Sequence, residues 1–285
     1  MTKHDTGEWQ SWIGRTETHE DTIDPVRARA MQATLDDPNA PLHAGAALPP
    51  LWHWLYFWSA KPQATLGPDG HAARGGFLPP IDLPRRMWAG SRVDFHGPLP
   101  LGAQASRRSS IADIRFKEGR SGRLAFVTVR HEVWVADTLC LTDEHDIVYR
   151  EAARAGDTPP PREAAPSDAP WRRKWRPDPV LLFRYSALTF NGHRIHYDHP
   201  YATGVEGYPG LIVHGPLLAT LMVELARAER PARHISRFEF RALSPIFDTA
   251  PFIVAGRPEA ADGGAEVWVA DPDGLFAMRG RVVFA

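Results

Sequence analysis

Two stretches of this chain, far apart in sequence, carry one pattern. Residues 92–102 (Arg-Val-Asp-Phe-His-Gly-Pro-Leu-Pro-Leu-Gly) and 237–247 (Arg-Phe-Glu-Phe-Arg-Ala-Leu-Ser-Pro-Ile-Phe) both alternate in period two and then break at proline. Such alternation marks a half-buried strand, and its recurrence points to two copies of one unit. Between the copies, residues 153–170 are polar, proline-rich and aperiodic. Proline cannot continue a helix or a sheet ladder, so this segment reads as a linker. The expected organisation is a first unit over residues 1–152 and a second over 171–285.

Each unit reads as a helix followed by strands. In the first, residues 51–58 form a short apolar run with helical character, and strands are expected at 91–99, 103–116, 124–135 and 139–149, with a turn at 119–122. In the second, residues 216–227 place Leu217, Leu218, Leu221, Met222 and Leu225 at helical spacing, before strands at 235–240, 251–257, 265–270 and 276–284. The 27 prolines and 10 tryptophans fit many turns and large buried rings, as in sheet-rich folds. The fold class is therefore α+β: two repeats, each an antiparallel sheet wrapped round a central helix.

Charge excludes some functions. Charged residues make up 24% of the chain and nearly balance, leaving a net charge of -1, which gives no electrostatic case for a nucleic-acid or membrane partner. Cys140 is the single cysteine, so no intrachain disulfide forms and a reducing, cytoplasmic setting is expected. The opening residues lack the apolar core of a signal peptide, and no later apolar run is long enough to span a bilayer.

The chemistry concentrates in residues 184–217. Gly215-Pro216 opens the apolar helix. Proline is favoured at the first helical position, and glycine before it lets a ligand approach the backbone. Free N–H groups there carry the positive end of the helix dipole, where an oxygen gaining negative charge is stabilised; losing such a donor costs about 3 kcal/mol of barrier. An ordinary helix start has the same local sequence. Upstream stands His196, whose imidazole ordinarily titrates near about 6.5 and exchanges protons at neutral pH. Asn191 offers an amide donor and a carbonyl acceptor but exchanges no proton.

This segment resembles the MaoC-like hydratase motif of hot-dog enzymes: Asp-x-Asn-Pro-x-His, then Asp-x-x-Tyr-Ala, then Val-His-Gly and an apolar helix. His196 falls on the catalytic histidine, Asp198, Tyr201 and Ala202 on Asp-x-x-Tyr-Ala, and Gly215 on the oxyanion-hole glycine. Asn191 stands where the motif has its aspartate, and His193-Arg194 replaces Asn-Pro. The wording Tyr-Ser-Ala-Leu-Thr-Phe-Asn-Gly-His-Arg-Ile-His-Tyr-Asp (185–198) is similar to the type 2 hydroxyacyl-thioester dehydratase branch, as are residues 48–54, 75–80, 83–88 and 127–132. The resemblance implies a double hot-dog fold, with substrate binding by the first repeat and catalysis by the second. It also implies reversible hydration of an enoyl thioester without a cofactor, CoA being part of the substrate. His196 would move the protons, Asn191 hold the water and Gly215 N–H stabilise the enolate oxygen. An acyl-CoA thioester is the expected partner, and a homodimer is compatible with the sequence.

Four arginines suit a substrate carboxylate or the CoA phosphates: Arg85 and Arg86, adjacent beside Pro84 and Trp88, together with Arg184 and Arg194. His214 is a further substrate-binding candidate. Their abundance favours a short branched dicarboxylic enoyl-CoA, of the mesaconyl-C4-CoA or itaconyl-CoA type. The alternatives are dehydration of (R)-3-hydroxyacyl thioesters and a non-catalytic acyl-CoA sensor. His193-x-x-His196-x-Asp198-His199 approaches a metallo-hydrolase pattern but is one residue too long, and no metal is expected. Residues 37–43 (Asp-Pro-Asn-Ala-Pro-Leu-His) faintly echo the hydratase motif and read as a proline-rich loop.

Overall fold

The structure, a computed structural model, describes residues 9–37, 41–72, 75–119, 122–151, 161–259 and 263–285. In the first half, β1 (Thr16–Thr22) and α1 (Pro25–Leu35) precede β2 (Arg85–Phe95), β3 (Gln104–Gly119), β4 (Gly122–Val135) and β5 (Thr138–Arg150). The second half runs β6 (Trp171–Trp175), α2 (Pro179–Leu188), α3 (His199–Gly204), α4 (Gly215–Glu229), β7 (Ile235–Ala242), β8 (Phe252–Pro258), β9 (Ala265–Ala270) and β10 (Phe276–Phe284).

Among the described residues these strands form one ten-stranded sheet in the order β1-β3-β4-β5-β2-β7-β10-β9-β8-β6. The two expected sheets meet edge to edge. β2 pairs antiparallel with β7, Ser91 opposite Phe240 and Val93 opposite Phe238, so the repeated pattern lies at the seam. Gly90 follows a bulge in the β2–β5 ladder, and on the β7 side a Cβ there would come within 2.4 Å of the Phe240 carbonyl oxygen. Only glycine lets the two halves approach this closely.

The core centres on α4, which packs against β6 to β10. Every residue from Leu217 to Ala226 is buried, as expected of a helix enclosed on all sides. Each fully buried leucine contributes about 1.5–3 kcal/mol. Glu224 is the polar exception: burial pushes its carboxyl pKa up, and it accepts from Trp52 Nε1 at 2.8 Å. That bond ties the first half to the central helix.

Residues 51–58 do not form the expected helix. They make one 3₁₀ turn, Trp52–Leu55, because Leu51 and Phe57 adopt left-handed backbone on either side (φ 68° and 60°). Trp52, Tyr56 and Phe57 still enter the core. The regular helix of the first half is α1, capped by Asp24, whose carboxylate accepts from the N–H groups of Val26 and Arg27 at 2.9 and 3.1 Å.

Of the proline-rich segment, residues 161–170 lie against the β9–β10 turn: Ala165 N–H donates to the Gly274 carbonyl at 2.9 Å, and Phe276 N–H to that of Glu163 at 3.0 Å. Residues 153–160, together with 38–40 of the echo motif and 120–121 of the expected turn, lie outside the described residues. No helix among the described residues is long and apolar enough to cross a membrane.

Candidate active site

The site is built where α2 ends. Phe190 takes left-handed backbone (φ 50°), which reverses the chain, and Asn191 N–H then donates to the Ser186 carbonyl at 2.8 Å. Asn191 Oδ1 accepts the His193 N–H at 3.0 Å. Its carbonyl oxygen is thereby engaged, so the amide NH2 is what remains for a ligand. One 3₁₀ turn, Arg194–His196, follows. Asp198 closes the motif: it caps α3 through Tyr201 N–H at 3.1 Å and holds Arg194 Nε at 2.9 Å.

His196 is 8% exposed. Its Nδ1 donates to the Ile212 carbonyl at 2.7 Å. A carbonyl only accepts, so this bond fixes the proton on Nδ1 and leaves Nε2 with a free lone pair. Burial lowers its pKa to about 4, against a smaller raising effect of that same bond. The ring is thus a neutral base near neutrality. His214 lies flat against it, centroids 3.8 Å apart, and its Nε2 pairs with Ser186 Oγ at 2.8 Å. Burial holds His214 well below the usual histidine range. His193 meets His196 edge-on at 5.5 Å, its pKa lowered to about 3, first by burial and next by His71.

The stack places His196 beside the start of α4. Gly215 is the first helical residue, so its N–H has no partner within the helix. A Cβ on Gly215 would meet nothing within 4 Å, so open space lies beside that amide. Helix-dipole charge favours an anionic oxygen at this end.

A cavity of about 1140 Å³ opens in front, lined from the second half by Ser186, Asn191, Gly192, Arg194 and Tyr197, and from the first by Gly70, His71 and Arg86 among others. His196 and Gly215 are not themselves in the cavity wall; His196 is linked to it through His214, whose Nε2 pairs with the wall residue Ser186. The first-half loop is clamped onto the 191–196 turn. Arg194 N–H donates to the Asp69 carbonyl and its Nη1 to that of Pro68, each at 2.9 Å.

The structure separates the candidate arginines. Along a strand, neighbouring side chains point to opposite faces, so Arg85 and Arg86 on β2 do not act as one fork. Arg85 forms an ion pair with Glu206. Arg194 pairs with Asp198 at 2.8 Å and lies over the Tyr201 ring at 4.0 Å. Arg184 is exposed on α2 and is not part of the cavity wall. Arg86 faces the cavity, and among the described residues no carboxylate pairs with it. His214, fully buried, backs His196 and does not line the cavity.

Sequence reasoning placed nothing from residues 59–72 in the site, although Asp69-Gly-His71 is a polar turn carrying two titratable groups. Asp69, His71 and His193 bring potential ligand atoms within 4.8 Å of one another. The Asp69 carboxylate accepts from His71 Nδ1 at 3.1 Å, so these groups are joined in a hydrogen-bonded set. The His193/His196/Asp198/His199 pattern is not assembled: Asp198 is held by Arg194 and His196 Nδ1 by a carbonyl.

Fold and site together define a double hot-dog acyl-thioester enzyme. The family model for hydroxyacyl-thioester dehydratase type 2 matches residues 51–248. The chain is 50% identical to the mesaconyl-C(4)-CoA hydratase of Chloroflexus aurantiacus over 277 residues, 97% of this chain and 98% of that protein. It is 30% identical to the mitochondrial hydroxyacyl-thioester dehydratase type 2 of Schizosaccharomyces pombe over 267 residues, 83% and 86% of the two chains. In fold it is similar to a MaoC-like dehydratase from Phytophthora capsici (TM-score 0.72, 13% identity, 95% of both chains). A double hot-dog protein from Mycobacterium tuberculosis is also similar (TM-score 0.59, 15% identity, 96% of both chains). The chain belongs to the type 2 hydroxyacyl-thioester dehydratase family and is a hydro-lyase.

Proposed function

We propose that this chain adds water reversibly across the α,β double bond of a short branched dicarboxylic enoyl-CoA, of the mesaconyl-C4-CoA type. The observation that carries the reaction is the free Nε2 of a buried neutral His196 beside the open space at Gly215 N–H. The thioester oxygen lies at the start of α4 and gains charge as water attacks the β carbon. Gly215 N–H stabilises that enolate. His196 Nε2 takes the proton of the attacking water, and the Asn191 amide NH2 positions it. Side chains and one backbone amide perform these steps, with no added cofactor.

The dicarboxylic substrate is supported by the 50% identity to a mesaconyl-C(4)-CoA hydratase and by Arg86, a cavity-wall cation with no ion pair among the described residues. Such a group suits the free carboxylate of the acyl chain. The run backwards, dehydration of (R)-3-hydroxyacyl thioesters, is the second reading, favoured by the S. pombe relative. A cytoplasmic setting agrees with one cysteine, Cys140, buried and unpaired.

The test is a panel of mesaconyl-C4-, itaconyl- and crotonyl-CoA, scored by the mass gain of water. Preference for a dicarboxylic ester that Arg86→Gln lowers about 10²-fold relative to crotonyl-CoA, while Arg85→Gln does not, supports the reading. Binding of all three esters with no hydration would leave a sensor and end it.

A further inference from the structure

Hydration needs one group to take a proton from water and one to give a proton to the α carbon. In the motif that residues 191–196 resemble, a carboxylate stands at position 191. Here Asn191 exchanges no proton, and its carbonyl oxygen is held by the His193 N–H. Position 191 therefore supplies no second acid–base group.

We infer that the first half supplies it: the Asp69–His71 pair on the 66–72 loop is the second acid–base unit of the site, His71 protonating the α carbon and Asp69 holding its ring. This rests on the hydratase reading. His71 Nδ1 binds Asp69 Oδ2 at 3.1 Å, and the other carboxylate oxygen accepts the His71 N–H at 3.0 Å. The ring is thus oriented twice by one carboxylate, with Nε2 left for a substrate. His71 lies on the same cavity wall as Asn191 and Gly192. Its ring is 4.1 Å from that of His193, which in turn meets His196. The His71 loop is fixed to the catalytic turn through Arg194. The Asp69 carboxyl is held well below the usual carboxylate range, chiefly by the His71 hydrogen bond, so it stays anionic.

The two histidines have opposite supports. His196 is buried against a neutral carbonyl, which suits a base. His71 is partly exposed and faces an anion, a counter-charge to a protonated ring, which suits an acid. Environments that divide two titratable groups in this way assign their roles. His193, His196, Tyr201 and Arg194 on the second half, and toward His193 Arg86, are charged or titratable groups that bear on the pair.

The step balances. The water O–H bond breaks and its proton goes to His196 Nε2 as the oxygen bonds the β carbon. The double-bond pair moves onto the thioester oxygen at Gly215. The enolate then collapses, and the α carbon forms its C–H bond with the proton from His71 Nε2. His196 returns its proton to His71 through solvent in the cavity, which resets both.

The test compares wild type, His71→Gln and Asp69→Asn on an enoyl-CoA that the wild type hydrates. His71→Gln should lower kcat by about 10²- to 10⁴-fold with KM little changed, as expected for lost acid catalysis. It should also abolish the alkaline limb of the wild-type pH profile, and added imidazole should restore part of the rate. Asp69→Asn keeps an acceptor for the His71 N–H and removes the carboxylate that orients the ring twice, so it should lower kcat with KM little changed. It also answers the question should His71→Gln not fold. The inference is overturned if His71→Gln keeps kcat within about threefold, if only KM rises, or if Asp69→Asn keeps the full kcat. It is equally overturned if a chelator stops the wild type and zinc restores it, since the trio would then be a metal centre. A wild type that hydrates no enoyl-CoA defeats the hydratase reading; an active wild type with an active His71→Gln defeats this inference alone.

Discussion

His196 and His214 stack face to face, their ring centroids 3.8 Å apart and their planes 18° apart. Burial keeps both rings neutral; a charge on either would be placed directly against the other. The stack restrains the His196 ring from tilting, and Ser186 Oγ pairs with His214 Nε2 at 2.8 Å. His214→Ala removes the backing ring and leaves a cavity. It should cost about 3 kcal/mol of stability in urea unfolding and lower kcat more than it changes KM. His214→Phe keeps a flat ring there and should recover most of both losses. Alanine and phenylalanine variants of equal activity would show that the stack does not position His196.

With His196 as the proposed base, its depressed pKa sets the expected acid limb of activity. The base acts unprotonated, so kcat/KM should hold from neutrality down to about pH 4 and fall roughly tenfold per unit below it. A limb centred near pH 6.5, the value of a solvated imidazole, would mean that another group is the base.

Stability should follow a related course. In the unfolded chain His196 and His193 take up protons near about pH 6.5, whereas in the folded protein they do so only near about 4 and 3. Between those values the unfolded state binds more protons. The stabilising contribution is therefore complete above about 6.5 and is lost as pH falls through 4 toward 3. Thermal unfolding midpoints should decline steadily across that window, and His193→Gln should flatten the decline. A wild-type midpoint unchanged between pH 7 and pH 4 would contradict the linkage.

How much of this was legible in the sequence depended on how local the signal was. The stripe of Leu217, Leu218, Leu221, Met222 and Leu225 gave α4 to within two residues at its end, and β9 and β10 match their expected bounds. Three helices were missed because their signal lies in caps and not in periodicity. Asp24 before Pro25, Asp178 before Pro179 and Asp198 before His199-Pro200 each accept a first-turn N–H, while Val-Arg-Ala-Arg-Ala-Met in α1 has no clear apolar stripe. His196, Asn191 and Gly215 could be put forward as candidates because each belongs to a contiguous motif. Asp69 and His71 could not, since the contact of their loop with Gly192 joins residues far apart in sequence. Arg85 and Arg86 read as a pair, and only their place on a strand sends them to different faces.

Gly215→Ala separates binding geometry from folding. The added methyl meets nothing within 4 Å, and the backbone there is not left-handed, so the fold should tolerate it and the unfolding midpoint should stay close to wild type. The methyl nonetheless occupies the space beside the amide that receives the thioester oxygen. Loss of about 10²-fold in kcat/KM is expected, the scale of one oxyanion donor. Full activity would place the enolate oxygen elsewhere.

Gly70 carries the last expectation, because it lies where the first-half loop meets Gly192 of the second half. Its backbone is left-handed (φ 89°), and a Cβ would come within 1.9 Å of the Gly192 carbonyl oxygen. Alanine there is strained twice over, and the contact is backbone on backbone, so no side chain can yield. The 66–72 loop must lift from the catalytic turn, breaking the bond from Arg194 N–H to the Asp69 carbonyl and withdrawing His71. Since the loop lies outside the buried core, Gly70→Ala should lower stability by only about 1–2 kcal/mol and kcat/KM by at least about tenfold. Gly97→Ala, with nothing within 4 Å of its added methyl, serves as the control. Should Gly70→Ala turn over substrate as fast as the control, closure of the first-half loop onto residues 191–196 plays no part in catalysis.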